Sequence, residues 1–168
     1  MRARIQKSMV LVLSITLLIS YAVMTIVVYS QNLGLLKREV RQEAHYIRTA
    51  INISGPAYLE EMDDVDTRTR VTRIDTAGTV LYDSRRDETT LDNHRSRNEV
   101  IQALKKGTGE DIRVSGTVGK EMYYYAILLE DGTVLRVSKT MDNLVSTALN
   151  VLPVMCVLAA AVLLLAWL

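Results

Sequence analysis

The sequence has little of the residue types from which catalytic and metal centres are usually built. Its 168 residues include one cysteine and two histidines. A single thiol excludes an internal disulfide, and the lack of Cys-x-x-Cys and His-x-x-x-His spacings argues against a structural zinc site. No glycine-rich phosphate loop of the P-loop or kinase type occurs. We therefore expect no catalytic residue, no cofactor and no enzymatic activity within these 168 residues.

An excess of charge of one sign is also missing. The 20 basic and 19 acidic residues give a formal net charge of +1. This gives no case for nucleic-acid binding, which usually requires a strongly basic face. The charges are unevenly distributed, however. Residues 9–28 and 151–168 contain no charged side chain, whereas residues 31–149 contain 17 basic and all 19 acidic residues, a net charge of −2. This pattern predicts a water-exposed domain between two membrane spans.

The two uncharged stretches have the length of membrane-spanning helices. About 20 helical residues cross a bilayer core, and we predict spans over residues 9–30 and 150–168, the second helix starting near Val145. The flank before the first span contains Arg2, Arg4 and Lys7 and no acid. The positive-inside rule then places residues 1–8 in the cytoplasm and residues 31–149 outside it.

A cleaved signal peptide is the alternative for the first stretch. Its apolar region is usually only about 7–15 residues long, which is shorter than the uncharged run here. No basic cluster follows Trp167 and Leu168, and we expect a cytoplasmic part beyond Leu168. The two spans make membrane lipids the expected surroundings of the chain.

Residues 31–53 are predicted to continue the first span as a helix with an apolar stripe. Its residues fall near heptad spacing, with Glu43 or Ala44 filling the gap: Leu33, Leu36, Val40, Ile47 and Ile51. Two interpretations stay open, packing on the chain's own domain and additional contact with a second copy in a homodimer. Ser54-Gly55-Pro56 is expected to end the helix.

After Arg70 the pattern becomes that of an antiparallel sheet. Short glycine-containing turns separate the first strand from the second, the third from the fourth and the fourth from the fifth. The five predicted strands are residues 71–75, 79–84, 111–117, 121–129 and 133–138. The fourth is apolar on both faces, which is typical of an interior strand covered on both sides. Asn98 to Lys106 is predicted as a short helix that stops at Gly107. The fold class is therefore α+β, with the long helix on one face of the sheet and a loop on the other.

A series of positions in this region resembles the extracytoplasmic region of bacterial sensor histidine kinases of the phosphate-sensing, PhoR-like type. The residues that carry the resemblance lie within about residues 71–140: Asp92-Asn93-His94, Arg97, Glu99-Val100, Ala103-Leu104, Gly107, Gly109, Arg113, Ser115, Gly119, Met122, Tyr124, Ala126 and the run from Asp131 to Val137. Asn98 and Leu128 depart from the pattern, since relatives often have proline there.

The resemblance implies a PAS-like fold of the PDC, or single Cache, kind between two spans in a bacterial cytoplasmic membrane. It also implies a homodimer, a histidine kinase domain that follows in the cytoplasm, and a response regulator that meets only that missing part. The same topology could instead serve a chemoreceptor or a cyclic-dinucleotide enzyme. A membrane-anchored binding or scaffold protein is a further alternative. The ligand does not carry over, because extracytoplasmic regions of this family vary.

Candidate ligand-binding residues concentrate in the loop from Asp83 to Arg97. Hydrogen-bonding groups are dense there, and we single out Ser84, Asn93, His94 and Arg97, with Tyr125 on the fourth strand. If the loop folds over the open face of the sheet, its arginines and histidine favour an anion, because guanidinium groups match carboxylate or phosphate. The alternative is that these residues pin the loop to the sheet and cap the short helix.

An acidic cluster follows the end of the long helix. It consists of Glu60, Glu61, Asp63, Asp64 and Asp66. Clustered carboxylates can recruit a divalent cation, but no EF-hand spacing is present, so we predict a solvated acidic turn and no metal site.

Overall fold

A computed structural model describes residues 2–61, 69–116, 119–141, 152–161 and 164 of the chain. The chain divides into two compact units, one comprising Met1–Gly34 with Asp142–Leu168 and the other Leu35–Met141. We call the second the sheet unit. It falls within the stretch predicted to lie outside the cytoplasm, residues 31–149.

The first unit is built from apolar helices. Helix α1 runs over Arg2–Ser54 and contains the predicted first span. Among the described residues, its portion Gln6–Ser54 is the one helix long and apolar enough to cross a membrane. The predicted second span is described in part, as the short apolar helix Leu152–Ala161. Residues of the two helices line an apolar cavity of about 410 Å³: Ser14, Leu17, Leu18, Tyr21, Leu152, Met155, Cys156 and Ala159.

Within the sheet unit, α1 buries the apolar stripe that the sequence predicts. Leu36, Val40, Ala44, Ile47 and Ile51 are all buried. Leu33, which belongs to the first unit, is half-buried. Alanine therefore occupies the gap in the heptad pattern. This confirms that the stripe packs on the chain's own domain.

The end of α1 lies where glycine was expected to place it. Gly55 takes a left-handed φ of +79°, which L-residues with a side chain rarely adopt. Its backbone N–H donates to the carbonyl of Ile51 at 2.8 Å. A single turn, α2 at Tyr58–Glu61, follows and buries Leu59.

The sheet has five antiparallel strands in the order β2-β1-β5-β4-β3. Their bounds are β1 Arg70–Ile74, β2 Val80–Asp83, β3 Thr108–Val114, β4 Glu121–Leu128 and β5 Val134–Thr140. A 3-10 turn at Glu88–Thr90 and helix α3 at Asn98–Lys106 lie between β2 and β3. The long helix and the five-stranded sheet confirm the α+β prediction.

Strand β4 lies between β3 and β5, as its two apolar faces predict. Side chains alternate between the faces of a strand, so Tyr124 and Ala126 face one side and Tyr123 and Tyr125 the other. The Tyr124 side carries α3, whose Val100 and Ala103 form an apolar cluster with Ile74, Ala126 and Val134. The Tyr123 side carries α1, whose Arg41 hydrogen-bonds the Tyr123 hydroxyl.

Strand β3 begins three residues earlier than the predicted Asp111. Helix α3 ends at Gly107, which has φ +85°, and the chain enters β3 directly at Thr108. Gly107 alone separates the two elements, so no longer turn marks the start of the strand in the sequence. The predicted helical continuation after Met141 lies outside the described residues.

Gly109 allows β3 to approach α3 closely, and we expect Gly109→Ala to destabilise the sheet unit. A Cβ at this position would overlap the carbonyl oxygen of Glu99 and come within 2.6 Å of the Cβ of Gln102. Overpacking of this kind typically costs about 1–3 kcal/mol. The measurement is the midpoint of thermal unfolding of the detergent-solubilised chain. Gly116→Ala is the matched control because a Cβ there meets nothing within 4 Å, and equal midpoints for the two variants would contradict the prediction.

Candidate functional site

The face of the sheet that carries α3 also carries an unusual number of polar side chains. Strand register places Arg136 of β5 opposite Thr72 of β1, and Ser138 opposite Arg70 and Tyr124. Directly paired residues share a face, so these side chains converge beside α3. All of them are buried.

Glu99, in the first turn of α3, is the centre of this network. It is 0% exposed and receives two hydrogen bonds from Arg113 of β3, Nη1 to Oε2 at 2.6 Å and Nη2 to Oε1 at 2.9 Å. Arg136 approaches from β5, with Nη1 3.4 Å from Oε1. Burial works to raise the pKa of the Glu99 carboxyl, but the bonds from Arg113 and the charge of Arg136 hold it below its usual value. Glu99 is therefore an ionised anchor inside the domain.

A second buried carboxylate lies on the same face. Asp83, at the end of β2, accepts from the Nε of Arg70 at 2.9 Å and from the Thr72 hydroxyl at 2.9 Å. Arg136 Nη2 in turn donates to the Thr72 oxygen at 3.2 Å. The two acidic groups are thus linked through Thr72 and Arg136 into one network that crosses the sheet.

These elements and the loop after β2 enclose a polar cavity of about 350 Å³, which we call the arginine cavity. Five of its lining side chains are arginines and one is acidic: it is lined by Arg70, Arg86, Thr90, Leu91, Asp92, His94, Arg97, Arg113, Ser115, Gly116, Tyr124 and Arg136. The Tyr124 ring forms part of the wall, with the Arg113 and Arg136 guanidinium carbons 3.9 and 5.3 Å from its centroid. Such stacking holds guanidinium groups in fixed orientations.

His94 is buried in the wall of this cavity. Its Nδ1 lies 2.6 Å from the carbonyl oxygen of Asp92, and since a carbonyl only accepts, Nδ1 carries the proton in the neutral ring. Burial lowers the pKa of His94 to about 4, with further lowering by the charges of Arg136, Arg97 and Arg70. The imidazole is therefore neutral at physiological pH.

Arg136 is itself 2% exposed. Burial lowers its pKa to about 10, against the opposing effect of Glu99. It stays a cation at neutral pH, and its charge is compensated by one carboxylate that it shares with Arg113.

The structure brings two of the predicted ligand residues, His94 and Arg97, to the cavity. Asn93 instead pins the loop to the turn between β1 and β2, donating to the carbonyl of Ala77 at 3.0 Å and accepting from the backbone N–H of Arg95 at 2.9 Å. Ser84 accepts from the backbone N–H of Val71 at 3.0 Å. Neither lines the cavity, so the pinning role considered for the loop is seen for Asn93.

The expected position of Tyr125 is corrected by the structure. It lies on the α1 face, 5.8 Å from the guanidinium carbon of Arg41 and 6.2 Å from the ring of His45. Its neighbour Tyr124 occupies the cavity wall in its place. A difference of one residue in strand register moves a side chain to the opposite face.

Sequence reasoning missed the arginines that the strands supply, namely Arg70, Arg113 and Arg136. The signal that points to Arg136 is its place in the otherwise apolar run from Val134 to Val137, where a charged residue has to be buried and paired. For Arg70 and Arg113, at strand positions that also fit a solvent face, no comparable signal exists.

The acidic cluster gives no evidence of a metal site. Glu60 and Glu61 are exposed on α2, whereas Asp63, Asp64 and Asp66 lie outside the described residues. Among the residues that are described, no group of three or more metal-ligating side chains converges.

The opposite face of the sheet has its own polar cluster, which joins α1 to β3 and β4. Glu110 lies 2.6 Å from Arg41 and 3.7 Å from Lys37, and accepts from the Tyr123 hydroxyl at 2.6 Å. Burial and the Glu110 carboxylate both raise the pKa of the Tyr123 hydroxyl. We call Lys37, Arg41, Glu110 and Tyr123 the α1 cluster.

Replacement of His94 by glutamine is expected to reduce the loss of stability on mild acidification. In the unfolded chain the imidazole takes up a proton below about pH 6.5, whereas in the folded chain it stays neutral down to a pKa of about 4. The folded state therefore loses stability as the pH falls through this window. Between about pH 7 and pH 5 the His94 contribution should amount to about 2 kcal/mol.

Denaturant unfolding of the detergent-solubilised chain, followed by tyrosine fluorescence at both pH values, measures this contribution. His45→Gln is the control, because His45 is exposed on α1 and should behave as the native chain does. A His94→Gln chain with the same pH dependence as His45→Gln would show that His94 is not neutral in the folded state.

Comparison with known proteins assigns no family. No protein family profile and no curated protein sequence matches the chain. Solved structures of similar shape include the extracellular domain of a protein assigned as a histidine kinase, rpHK1S-Z16 (17% identity, TM-score 0.41, 61% of this chain and 39% of that one). A second is the Bacillus subtilis YkuI protein, with an EAL domain and bound c-di-GMP and calcium (15% identity, TM-score 0.43, 66% of this chain and 34% of that one). A third is a Cache chemosensory domain studied for carboxylic acid recognition (14% identity, TM-score 0.44, 67% of this chain and 95% of that one). The chain thus spans about two fifths of the length of the histidine kinase extracellular domain and about one third of the length of YkuI.

Proposed function

We propose that the chain is the membrane-spanning sensor module of a bacterial two-component sensor histidine kinase. In this proposal residues 1–8 are cytoplasmic, residues 9–30 and 150–168 cross the cytoplasmic membrane, and residues 31–149 lie outside the cytoplasm. The module detects a ligand or partner there and passes the signal to a kinase domain that follows in the cytoplasm. That domain, and not these residues, would act on a response regulator.

The observation that carries this proposal is the double role of α1. Its apolar portion has the length and composition of a membrane span, and its last turns bury a stripe against a sheet whose other face holds a polar cavity. A helix that belongs to both parts can report the state of the domain to the membrane. A ligand shifts such a system only through its different affinities for two arrangements.

Polar contacts between α1 and the sheet could rearrange when the sheet unit changes its conformation. Lys139 of β5 pairs with Glu39 at 2.8 Å, and Asn52 donates to Glu130 at 3.1 Å. With the α1 cluster, these side chains form half-exposed contacts along the helix. Exposed ion pairs contribute about 0–1 kcal/mol each, so they can rearrange at small cost while the buried stripe keeps the helix in place.

A homodimer belongs to the same proposal. Leu35, Tyr46 and Ile53 are 55, 65 and 79% exposed, and at 100° per residue they fall on one side of α1, opposite the buried stripe. An exposed apolar stripe on a long helix is typical of helix pairing. We infer that the sheet units of two copies meet along it.

The topology is tested by labelling engineered cysteines in intact cells. Cys156 is the single native thiol, so Cys156→Ser provides a background without cysteine. A cysteine at the exposed position Lys105 should react with a membrane-impermeant maleimide in intact cells. One at Lys7, also exposed, should react after lysis alone. Labelling of the Lys105→Cys chain after lysis alone would refute the proposed orientation.

The signalling role is tested by a chimera in which residues 1–168 replace the sensor and membrane segments of a histidine kinase with a known output. Glu110→Ala removes the acid that holds Arg41, Lys37 and Tyr123, and we expect kinase output to change by about twofold or more, as for a loss of about 0.5 kcal/mol or more of coupling. Glu121→Ala, at an exposed position, is the control. Identical output from both variants would argue against signal transfer through α1.

A further inference from the structure

The arginine cavity contains cationic donors without an acceptor among the described residues. They are Nη2 of Arg70 and Nε of Arg97 and Arg136. Arg70 and Arg136 are 8% and 2% exposed, so these donors lie deep in the domain. A buried donor without a partner costs about 1–3 kcal/mol, and more when it is charged. A group that brings oxygen acceptors into the cavity would recover this cost.

The charges around the cavity leave room for an anion. Asp111 pairs with Arg113. Two further carboxylates compensate arginines of the cavity: Asp83 pairs with Arg70, and Glu99 is shared by Arg113 and Arg136. Both carboxylates have side chains with no exposed surface. For Arg86 and Arg97, no ion pair is seen among the described residues. The accessible wall is therefore cationic, with Asp92 as its single acidic residue.

The size and shape of the cavity restrict the anion. At about 350 Å³ it is at the lower end of the range for ligand pockets. The donors left without a partner are single N–H groups of three arginines, Nη2 of Arg70 and Nε of Arg97 and Arg136. Charge-assisted bonds to the oxygens of a carboxylate or phosphate group satisfy donors of this kind. A small, multiply charged oxyanion fits both the volume and the donors.

His94 connects this site to protonation. It lines the same cavity as Arg136 of β5, Arg70 of β1 and Arg97 of the loop. The charges of these arginines disfavour an imidazolium, whereas the Asp92 carbonyl favours it. Asp92 is also a lining residue of the cavity. An anion among these arginines would offset their charge at His94. Anion binding and proton binding must then favour each other to the same extent, because linkage is reciprocal.

We propose that the arginine cavity binds a small oxyanion, carboxylate or phosphate in chemistry, between Arg70, Arg97 and Arg136, and takes up a proton at His94 as it does so. This rests on the proposed sensor function in that the oxyanion would be the detected ligand. No covalent bond of the oxyanion is formed or broken, and the one bond made is N–H at His94. The proton comes from solvent and adds to Nε2, since Nδ1–H already faces the Asp92 carbonyl.

Binding is measured on the full chain in phosphatidylcholine nanodiscs by isothermal titration calorimetry. The probes are sodium sulfate, inorganic phosphate, succinate and acetate, each against sodium chloride of equal ionic strength. We expect saturable binding of at least one dianion. Tighter phosphate than succinate assigns a tetrahedral oxyanion, and the reverse assigns a dicarboxylate. No saturable binding of any probe up to about 10 mM would overturn the proposal.

Arg97→Gln is the variant of choice, because Arg97 makes no side-chain cap bond to α3 and the sheet unit should fold without its charge. We expect it to weaken binding about tenfold or more, as for loss of one charge-assisted bond. Arg73→Gln is the matched control: it lies on β1 with Arg70 but pairs with Asp131, so affinity should be unchanged. If the Arg97→Gln chain does not fold, Arg86→Gln at an exposed lining position is the second test. Unchanged affinity in a folded cavity variant would overturn the proposal.

Sulfate is the probe for proton uptake because its own charge is constant over the range tested. Uptake of one proton changes affinity by at most tenfold per pH unit. Between about pH 7.5 and pH 5.5 we expect sulfate binding to tighten about tenfold in the native chain and to be nearly constant in His94→Gln. A pH-independent native affinity, or an unchanged pH dependence in His94→Gln, would overturn the proton coupling. Because these titrations need neither a defined orientation nor a kinase output, their failure is distinguishable from that of the proposed function.

Discussion

Glu99 carries a negative charge at a point that water does not reach, and arginines from two different strands compensate it. Arg113 binds both of its oxygens and Arg136 approaches one of them. Removing one partner of a buried pair typically costs about 3–5 kcal/mol, so α3, β3 and β5 are held in one relative position. The wall of the arginine cavity depends on the same position. Without Glu99, Arg113 and Arg136 would repel each other.

Most helices and strands of the sheet unit could be predicted from the sequence because short stretches of residues determine them. Glycines with left-handed φ end both α1 and α3, at Gly55 and Gly107, and such a requirement is visible in the sequence itself. The apolar stripe of α1 and the doubly apolar β4 follow from periodicity. The start of β3 was missed because Gly107 alone lies between α3 and β3, so no longer turn marks it in the sequence.

The candidate site could be predicted from the sequence only in part, because the register in which the strands pair determines which side chains meet there. His94 and Arg97 were found since a loop dense in polar groups is a visible feature. The choice between Tyr124 and Tyr125 depends on which residue of β4 pairs with Ser138 of β5, and a shift by one residue exchanges their faces. Arg70 and Arg136 meet across adjacent strands although they are far apart in the chain, so composition alone could not bring them together.

Successive side chains of β4 face opposite sides of the sheet, so this strand contacts both the arginine cavity and α1. Tyr124 lines the arginine cavity, whereas Tyr123 and Tyr125, bonded to it along one backbone, contact Arg41 of α1. Protein interiors are close-packed, so a displacement on one face of a strand is felt on the other. On the cavity side the strands are tied by buried ion pairs, and on the α1 side by half-exposed ones. Of the two sets of ion pairs, those of α1 are therefore the weaker.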